Sequence, residues 1–131
     1  MIEKFTIATV AEQSKDFRRV LWTGKDSQLV IMTIPPGGEI GEETHPNTDQ
    51  ILTFVSGTGE AVVAGESEQI AQGDLVVVPA GTRHNFRNTG VNPLVLYTVY
   101  APAEHADGAV HATKAEAEAA EESGQDRPPT P

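Results

Sequence analysis

The stretch "GDLVVVPAGTRHNFRN", residues 73–88, joins an apolar run, a tight turn and a second short run. The run "LVVV" contains three β-branched valines, and it is followed by Pro79, which has no N–H to donate to a neighbouring strand. Gly81 permits a backbone conformation that is closed to other residues. The stretch therefore predicts a strand, a turn and a second strand that begins at His84.

Similar runs recur over residues 17–100 and are separated by Gly, Pro, Asn and Asp. Such runs, rich in Val, Ile, Thr, Phe and Tyr, predict short strands. They read "FRRVLWT", "QLVIMTI", "EETH", "QILTFVS", "GEAVVA", "EQIA", "LVVVP", "HNFRN" and "LVLYTVY". Their even spacing predicts an all-β sandwich or small barrel. Trp22 is expected in its core or at an interface.

Upstream, "GEETHPNTDQ", residues 41–50, concentrates polar side chains between apolar runs. The period of two in a strand places Glu43 and His45 on one face. Gln50 opens the next strand, whereas Asp49 alternates away from it and is expected to cap the turn. With no cysteine in the chain, any metal site must be built from nitrogen and oxygen ligands.

The chain resembles the cupin superfamily at these residues. Residues 73–88 match every fixed position of the second cupin motif, G-x5-P-x-G-x2-H-x3-N. The first motif, G-x5-H-x-H-x3 or x4-E-x6-G, keeps its spacing, but Glu43 replaces a histidine and Gln50 replaces the glutamate. The resemblance spans about residues 29–100, and the following residues look like the ending of small single-domain cupins often labelled mannose-6-phosphate isomerase-like.

The resemblance implies a jelly-roll barrel, or double-stranded β-helix, and a metal site made of Glu43, His45, Gln50 and His84. Such a mixed nitrogen and oxygen set suits one divalent Mn, Fe, Ni, Co or Zn ion. Because Gln50 is neutral, Glu43 alone would offset the ion, and one positive charge would remain to attract an anionic substrate. The alternative is that the two departures mark a site that no longer binds metal.

Further polar residues are candidates for supporting roles. Tyr97 and Tyr100 lie on opposite faces of the last predicted strand, so at most one can line the cavity as a general acid or hydrogen-bond donor. His105 and His111 fall in a polar segment, where a solvated histidine is expected and a lid over the barrel is the alternative.

Three functions fit these observations. The first is a metal-dependent isomerase of a small oxygen-rich substrate such as a sugar, sugar acid or keto acid. The second is a non-haem Fe(II) dioxygenase, because two histidines and one carboxylate are the residues of a facial triad. The third is a non-catalytic barrel that binds a small molecule.

The composition of the chain indicates which classes of partner are disfavoured. The net charge is −10, and no basic stripe is present, which argues against a nucleic-acid partner. No 18-residue apolar run and no secretory h-region occur, so we expect a cytoplasmic protein without a membrane partner. Cupins similar to this chain are often dimers, which implies a homodimer, and "KFTIATV" near the N-terminus is a candidate strand or contact to the partner.

The composition changes near residue 104, which predicts a barrel domain over residues 1–103 and an acidic segment over residues 104–131. Within that segment, Thr113 and Glu116 fit a capping box before "KAEAEAAEE", so we predict a short helix at about residues 114–122. The remaining polar residues, 121–131, are predicted to be disordered at the end of the chain.

Overall fold

A computed structural model describes residues 2–129. In chain order its elements are α1 (Ile7–Gln13), β1 (Arg18–Thr23), β2 (Gln28–Ile34), β3 (Asp49–Ser56), β4 (Thr58–Val63), β5 (Glu66–Ala71), β6 (Leu75–Val78), β7 (His84–Asn88), β8 (Leu94–Ala101), β9 (Val110–His111) and α2 (Lys114–Glu122). The strands form a sheet in the order β6-β3-β8-β2-β1-β9 and a second sheet in the order β5-β4-β7. The paired strands run antiparallel, and the jelly-roll prediction is confirmed.

Alternation along the strands produces the barrel interior. Leu52 and Phe54 of β3 point inward and are at most 1% exposed, as are Phe86 of β7 and Leu96 of β8. Burying each such side chain contributes about 1.5–3 kcal/mol. Because both sheets supply these residues, one continuous core holds the two sheets together.

The outer face of the six-stranded sheet carries a second apolar cluster under α1. Ile7, Val10 and Ala11 follow one another at helical spacing, and they pack on Ile31 and Val95 of the sheet. This arrangement corrects the interpretation of "KFTIATV" as a strand: the residues from Ile7 onward form a helix, because their apolar positions match a helix face.

The segment "EETH" also differs from its prediction. It forms no strand, and Glu43 makes only an isolated bridge with His84. The segment is bounded by Gly41, which has a φ of +108°, and by Pro46, which has no N–H. The β-pairing therefore does not extend beyond this one residue pair.

The C-terminal segment packs on the barrel. Strand β9 pairs with β1, and α2 matches the predicted helix, with Thr113 at its N-cap and Ala117 in the core. Asp126 accepts a hydrogen bond from the Ala106 N–H at 2.8 Å, so the predicted disordered end is held at this point. Residues 130 and 131 lie outside the described residues, and the division at residue 103 stays a prediction.

Between residues 2 and 129, no helix combines the length and apolar character needed to cross a membrane.

Candidate metal centre

The backbone brings Glu43 and His84 side by side. The Glu43 N–H donates to the His84 carbonyl, and the His84 N–H donates to the Glu43 carbonyl, each at 2.9 Å. Such a two-way pair places the two side chains next to each other on one face. Gly81, with a φ of +79°, turns the chain into β7, and its N–H donates to the His45 carbonyl at 2.8 Å. The two motifs are thus joined through backbone bonds.

The orientation of His84 leaves one ring nitrogen free. Its Nδ1 lies 2.9 Å from the Thr82 carbonyl oxygen. Because a carbonyl only accepts, Nδ1 must carry the proton, and Nε2 then has a free lone pair. Burial also lowers the pKa of His84 below its ordinary value, against the effect of the Thr82 bond. His84 is therefore neutral near pH 7, the form that binds a metal ion.

His45 lies between two carboxylates. Its Nε2 is 3.1 Å from Glu43 Oε2, and its Nδ1 is 3.5 Å from Glu104 Oε2. Burial lowers the pKa of His45, but the contacts with Glu104 and Glu43 outweigh that effect and raise the pKa to about 9. The close approach to Glu43 lacks hydrogen-bond geometry, so Nε2 is buried without a hydrogen-bond partner. Near pH 7 the metal-free ring is therefore protonated, and this nitrogen would bind an ion only after losing its proton.

Together, Glu43, His45 and His84 form a cluster, called the motif cluster below, in which one ligand atom from each residue lies within 4.8 Å of the others. Ligand atoms around an ion at about 2.1 Å in a tetrahedral site are about 3.4 Å apart. The widest separation in the cluster would therefore have to shorten by up to about 1.4 Å. Two imidazoles and one carboxylate fit a divalent transition metal.

Gln50 supplies a further unpaired atom. It is 2% exposed, and its Nε2 donates to Thr98 Oγ1 at 3.2 Å. Thr98 in turn donates to the Ile51 carbonyl, so Gln50 Oε1 is left buried without a partner. Gln50 is paired across the strands with Tyr100, whose ring contacts that of His45. An amide oxygen that is buried without a partner is a candidate for a fourth ligand.

The two tyrosines occupy different environments. Tyr100 is 1% exposed in the interior, and its ring centroid lies 5.8 Å from that of His45. Tyr97 instead packs in the outer cluster under α1. Burial raises the pKa of Tyr100 well above its ordinary value, so its hydroxyl stays protonated. Of the two candidates, Tyr100 alone lies near the motif cluster.

Two charged residues beside the cluster were missed from the sequence. Glu104 lies against His45, where a carboxylate would orient the ring and make it a better ligand. Arg18 is 4% exposed inside the barrel. Burial raises the pKa of Glu43, but the contact with His45 and the Arg18 charge lower it overall. Glu104 also corrects the expectation that Glu43 alone offsets a bound ion.

The expectation of solvated histidines in the C-terminal segment is wrong. His105 and His111 are 7% and 9% exposed. The Nδ1 of His105 lies 2.8 Å from Asp126 Oδ2, and His111 belongs to β9. Both rings are buried because the segment folds back onto β1. Asp49 faces away from the cluster, and it accepts from the Ala80 N–H at 2.8 Å in the turn before His84.

Comparisons with known proteins agree with this geometry. Residues 30–100 match the family described as the Cupin domain. An uncharacterized protein of Bacillus subtilis, YrkC, is 45% identical over an alignment of 123 positions that covers 88% of this chain and 66% of that protein. The chain spans about two thirds or less of the length of the first curated relatives it matches.

Solved structures show the same fold. The crystal structure of BH2720 from Bacillus halodurans is similar with a TM-score of 0.89 and 39% identity, over 91% of this chain and 95% of that one. A protein of Thermotoga maritima described as a predicted oxalate decarboxylase has a TM-score of 0.56 and 26% identity, over 58% of this chain and 66% of that one.

Proposed function

Because the chain belongs to the cupin family, we propose that it is a metal-binding cupin in which Glu43, His45 and His84 hold one divalent ion, with Gln50 as the fourth ligand. The observation that carries the proposal is the set of free, buried ligand atoms: His45 Nε2 and Gln50 Oε1 have no hydrogen-bond partner, and His84 Nε2 has a free lone pair. Buried polar atoms are rarely left unpaired without a reason.

The proposed reaction is an isomerisation of a small oxygen-rich substrate. A bound ion would polarise a carbonyl oxygen of that substrate. Tyr100 remains protonated and donates a hydrogen bond from the cavity wall. Glu104, whose pKa is lowered by its contact with His45, would stay ionised, orient His45 and accept a proton from the substrate. The chain's own groups would thus hold and move the proton.

A second candidate is a non-haem Fe(II) dioxygenase. The observation in its favour is the 2-His-1-carboxylate composition of the motif cluster. Oxygen uptake that depends on Fe(II) would support it, whereas turnover under nitrogen with Mn(II) or Zn(II) would exclude oxygen as a requirement. A third reading, a non-catalytic barrel that binds a small molecule, predicts ligand binding without turnover under either condition.

The test of the metal site is elemental mass spectrometry of untagged protein after incubation with Mn(II), Fe(II), Ni(II) or Zn(II). We expect about one ion per chain in the natural protein and none in a His45→Ala, His84→Ala double variant. A His111→Ala variant is the matched control, because this buried histidine lies outside the cluster, and it should keep the ion. Absence of metal from the natural protein under every condition would refute the site.

We also propose a homodimer through the outer face of the six-stranded sheet. One cross-strand row is apolar over five adjacent strands, in the order Trp22, Leu29, Val99, Ile51 and Val77. Helix α1 covers a different part of this face. Trp22 and Ile51 are each 40% exposed and Val77 is 55% exposed. Trp22 therefore does not lie in the core, and we propose that it lies at the dimer interface.

The size of this apolar row argues for a second copy of the chain. Five strands span about 19 Å, the scale of the apolar centre of an interface that buries about 800 Å² per partner. A straight row pairs with itself about a two-fold axis. Light scattering should give about twice the 14.0 kDa chain mass, and Val77→Lys should give a monomer. Glu68→Lys, on exposed β5, is the control that should leave the dimer intact.

A further inference from the structure

Two adjacent arginines on β1 have opposite environments. Arg18 points inward with Val20 and is 4% exposed, whereas Arg19 lies on the exposed outer face. The alternation of a strand explains why neighbours differ in this way. Placing a guanidinium inside a barrel is unfavourable unless a partner compensates its charge. The question is what partner Arg18 has.

The protein itself provides little compensation. Across residues 2–129, no carboxylate oxygen lies within 4.0 Å of the Arg18 guanidinium nitrogens. Its Nε is buried without a hydrogen-bond partner. The one specific contact is with the Phe17 ring, 5.4 Å from the guanidinium carbon. The Arg18 charge acts on Glu43 and Asp126, but these carboxylates already contact His45 and His105.

Arg18 and Glu43 line the same cavity, which has a volume of about 170 Å³. This space corresponds to roughly five or six water molecules at about 30 Å³ each. Its outer part carries four further charged residues, and two of their acids are already paired: Glu42 with Arg83 at 3.5 Å and Glu118 with Lys114 at 3.6 Å. Glu121 completes this group. Among the described residues that line this cavity, Arg18 is the buried cation without an ion-pair partner, so an anion would bind at its end of the cavity.

We propose that Arg18 is the carboxylate-binding residue of this site, and that the ligand is an organic acid of about two to four carbons. The acid would place its carboxylate on the planar guanidinium fork, which suits two parallel hydrogen bonds. Its adjacent carbonyl or hydroxyl oxygen would lie toward Glu43 and the motif cluster. This inference rests on the proposed metal site, and it names the substrate class of that site.

The experiment compares one acid with a neutral analogue of the same size. Calorimetric titrations of pyruvate and of hydroxyacetone are made with the natural protein, Arg18→Gln and Arg19→Gln, each with and without Mn(II). We expect pyruvate to bind the Mn(II)-loaded natural protein and Arg19→Gln alike, and to bind Arg18→Gln at least tenfold more weakly. Hydroxyacetone should bind these three proteins with equal, lower affinity.

Metal content, measured on the same samples, separates the two proposals. If Arg18→Gln keeps its Mn(II) but binds pyruvate as the natural protein does, or if the natural protein does not prefer pyruvate to hydroxyacetone, the Arg18 assignment is overturned and the metal site stands. If the natural protein takes up no metal, the proposed function fails, and pyruvate binding by the metal-free protein decides on Arg18 alone. If Arg18→Gln does not fold, Arg18→Lys is used in its place. This variant keeps the positive charge but lacks the planar guanidinium group, so it should still lose most of the preference for pyruvate over hydroxyacetone.

Discussion

Two histidine-containing regions lie close together inside this barrel, and they differ in how their polar atoms are used. In the motif cluster, His45 Nε2 and the nearby Gln50 Oε1 have no hydrogen-bond partner. In the second region, here called the tail pair, His105 and Asp126 bond to each other at 2.8 Å. The tail pair also leaves one atom free, His105 Nε2, but one nitrogen does not make a metal site. The motif cluster and Gln50 thus keep buried atoms available for binding, although His45 also contacts Glu43 and Glu104, whereas the tail pair attaches the end of the chain.

Two buried glutamines sharpen this comparison, and they carry the largest expected effects. Gln50 keeps Oε1 unpaired, whereas Gln28 is fully used: it donates to Thr23 and to the His105 carbonyl and accepts from the Glu104 and His105 N–H groups. Gln28→Leu should lower the free energy of unfolding by about 3 kcal/mol, because it leaves backbone groups buried and unpaired. Its metal affinity should fall less than that of Gln50→Leu, because Gln28 acts on the site only through the backbone of Glu104.

Gln50→Leu should affect metal binding rather than stability. It removes a buried oxygen without a partner, so the metal-free protein should be as stable as the natural one or more stable. Its metal affinity should fall by about 10- to 100-fold if Gln50 is a ligand or orients one. Urea denaturation and chelator competition measure the two quantities. An unchanged metal affinity in Gln50→Leu would remove Gln50 from the site.

The tail pair predicts a pH effect on stability. Burial raises the pKa of Asp126, but the contact with His105 outweighs it and lowers the pKa from 3.8 to about 2. The resulting stabilisation is present above pH 3.8 and is lost as the pH falls through about 2. A shift of this size is worth about 2 kcal/mol. Asp126→Asn should therefore lose about 2 kcal/mol at pH 7 and show a flatter decline between pH 4 and pH 2.

His105 makes a separate contribution to the loss of stability at acidic pH. Burial lowers the pKa of His105 below 6.5, although Asp126 opposes this effect. The unfolded chain then binds a proton before the folded chain does, so stability falls as the pH drops below 6.5. This loss of stability below pH 6.5 should persist in Asp126→Asn. Urea denaturation of the metal-free protein at several pH values measures both contributions, with Asp107→Asn, an exposed acid of the same segment, as the control. Equal acid profiles for Asp126→Asn and the natural protein would show that the tail pair is not stabilising.

The motif cluster could be predicted from the sequence to a large extent. Strand β2 has the predicted bounds, and Gly81 has the positive φ that the turn before His84 requires. The resemblance to the cupin motifs also placed Glu43 and His84 in one site. The fourth position, Gln50, has the unpaired oxygen that a ligand needs. These residues lie within short stretches whose periodicity is visible in the sequence.

The surroundings of that cluster could not be predicted in the same way. Glu104 reaches His45 only because the segment after β8 folds back, and Gln28 contacts His105 across 77 positions of the chain. Arg18 looked like any charged residue in a strand. Such contacts depend on how distant segments pack, and no local period records them. For that reason the tail pair was interpreted as a solvated histidine and a disordered end.

Helix α2 is the part of the C-terminal segment that local sequence did predict, and it gives the smallest expected effect. Thr113 Oγ1 accepts from the Glu116 N–H at 3.2 Å, and Glu116 Oε2 accepts from the Ala112 N–H at 2.8 Å. Thr113→Ala should lower the free energy of unfolding by about 1 kcal/mol, because it leaves a helix N–H without its cap. Glu118→Gln on the same helix breaks only an exposed pair, worth about 0.3–0.5 kcal/mol. Metal content should stay the same in both variants, since the helix attaches the segment without contributing a ligand. Loss of the ion in Thr113→Ala would mean that attachment of the segment and metal binding are coupled, and that the two regions work as one.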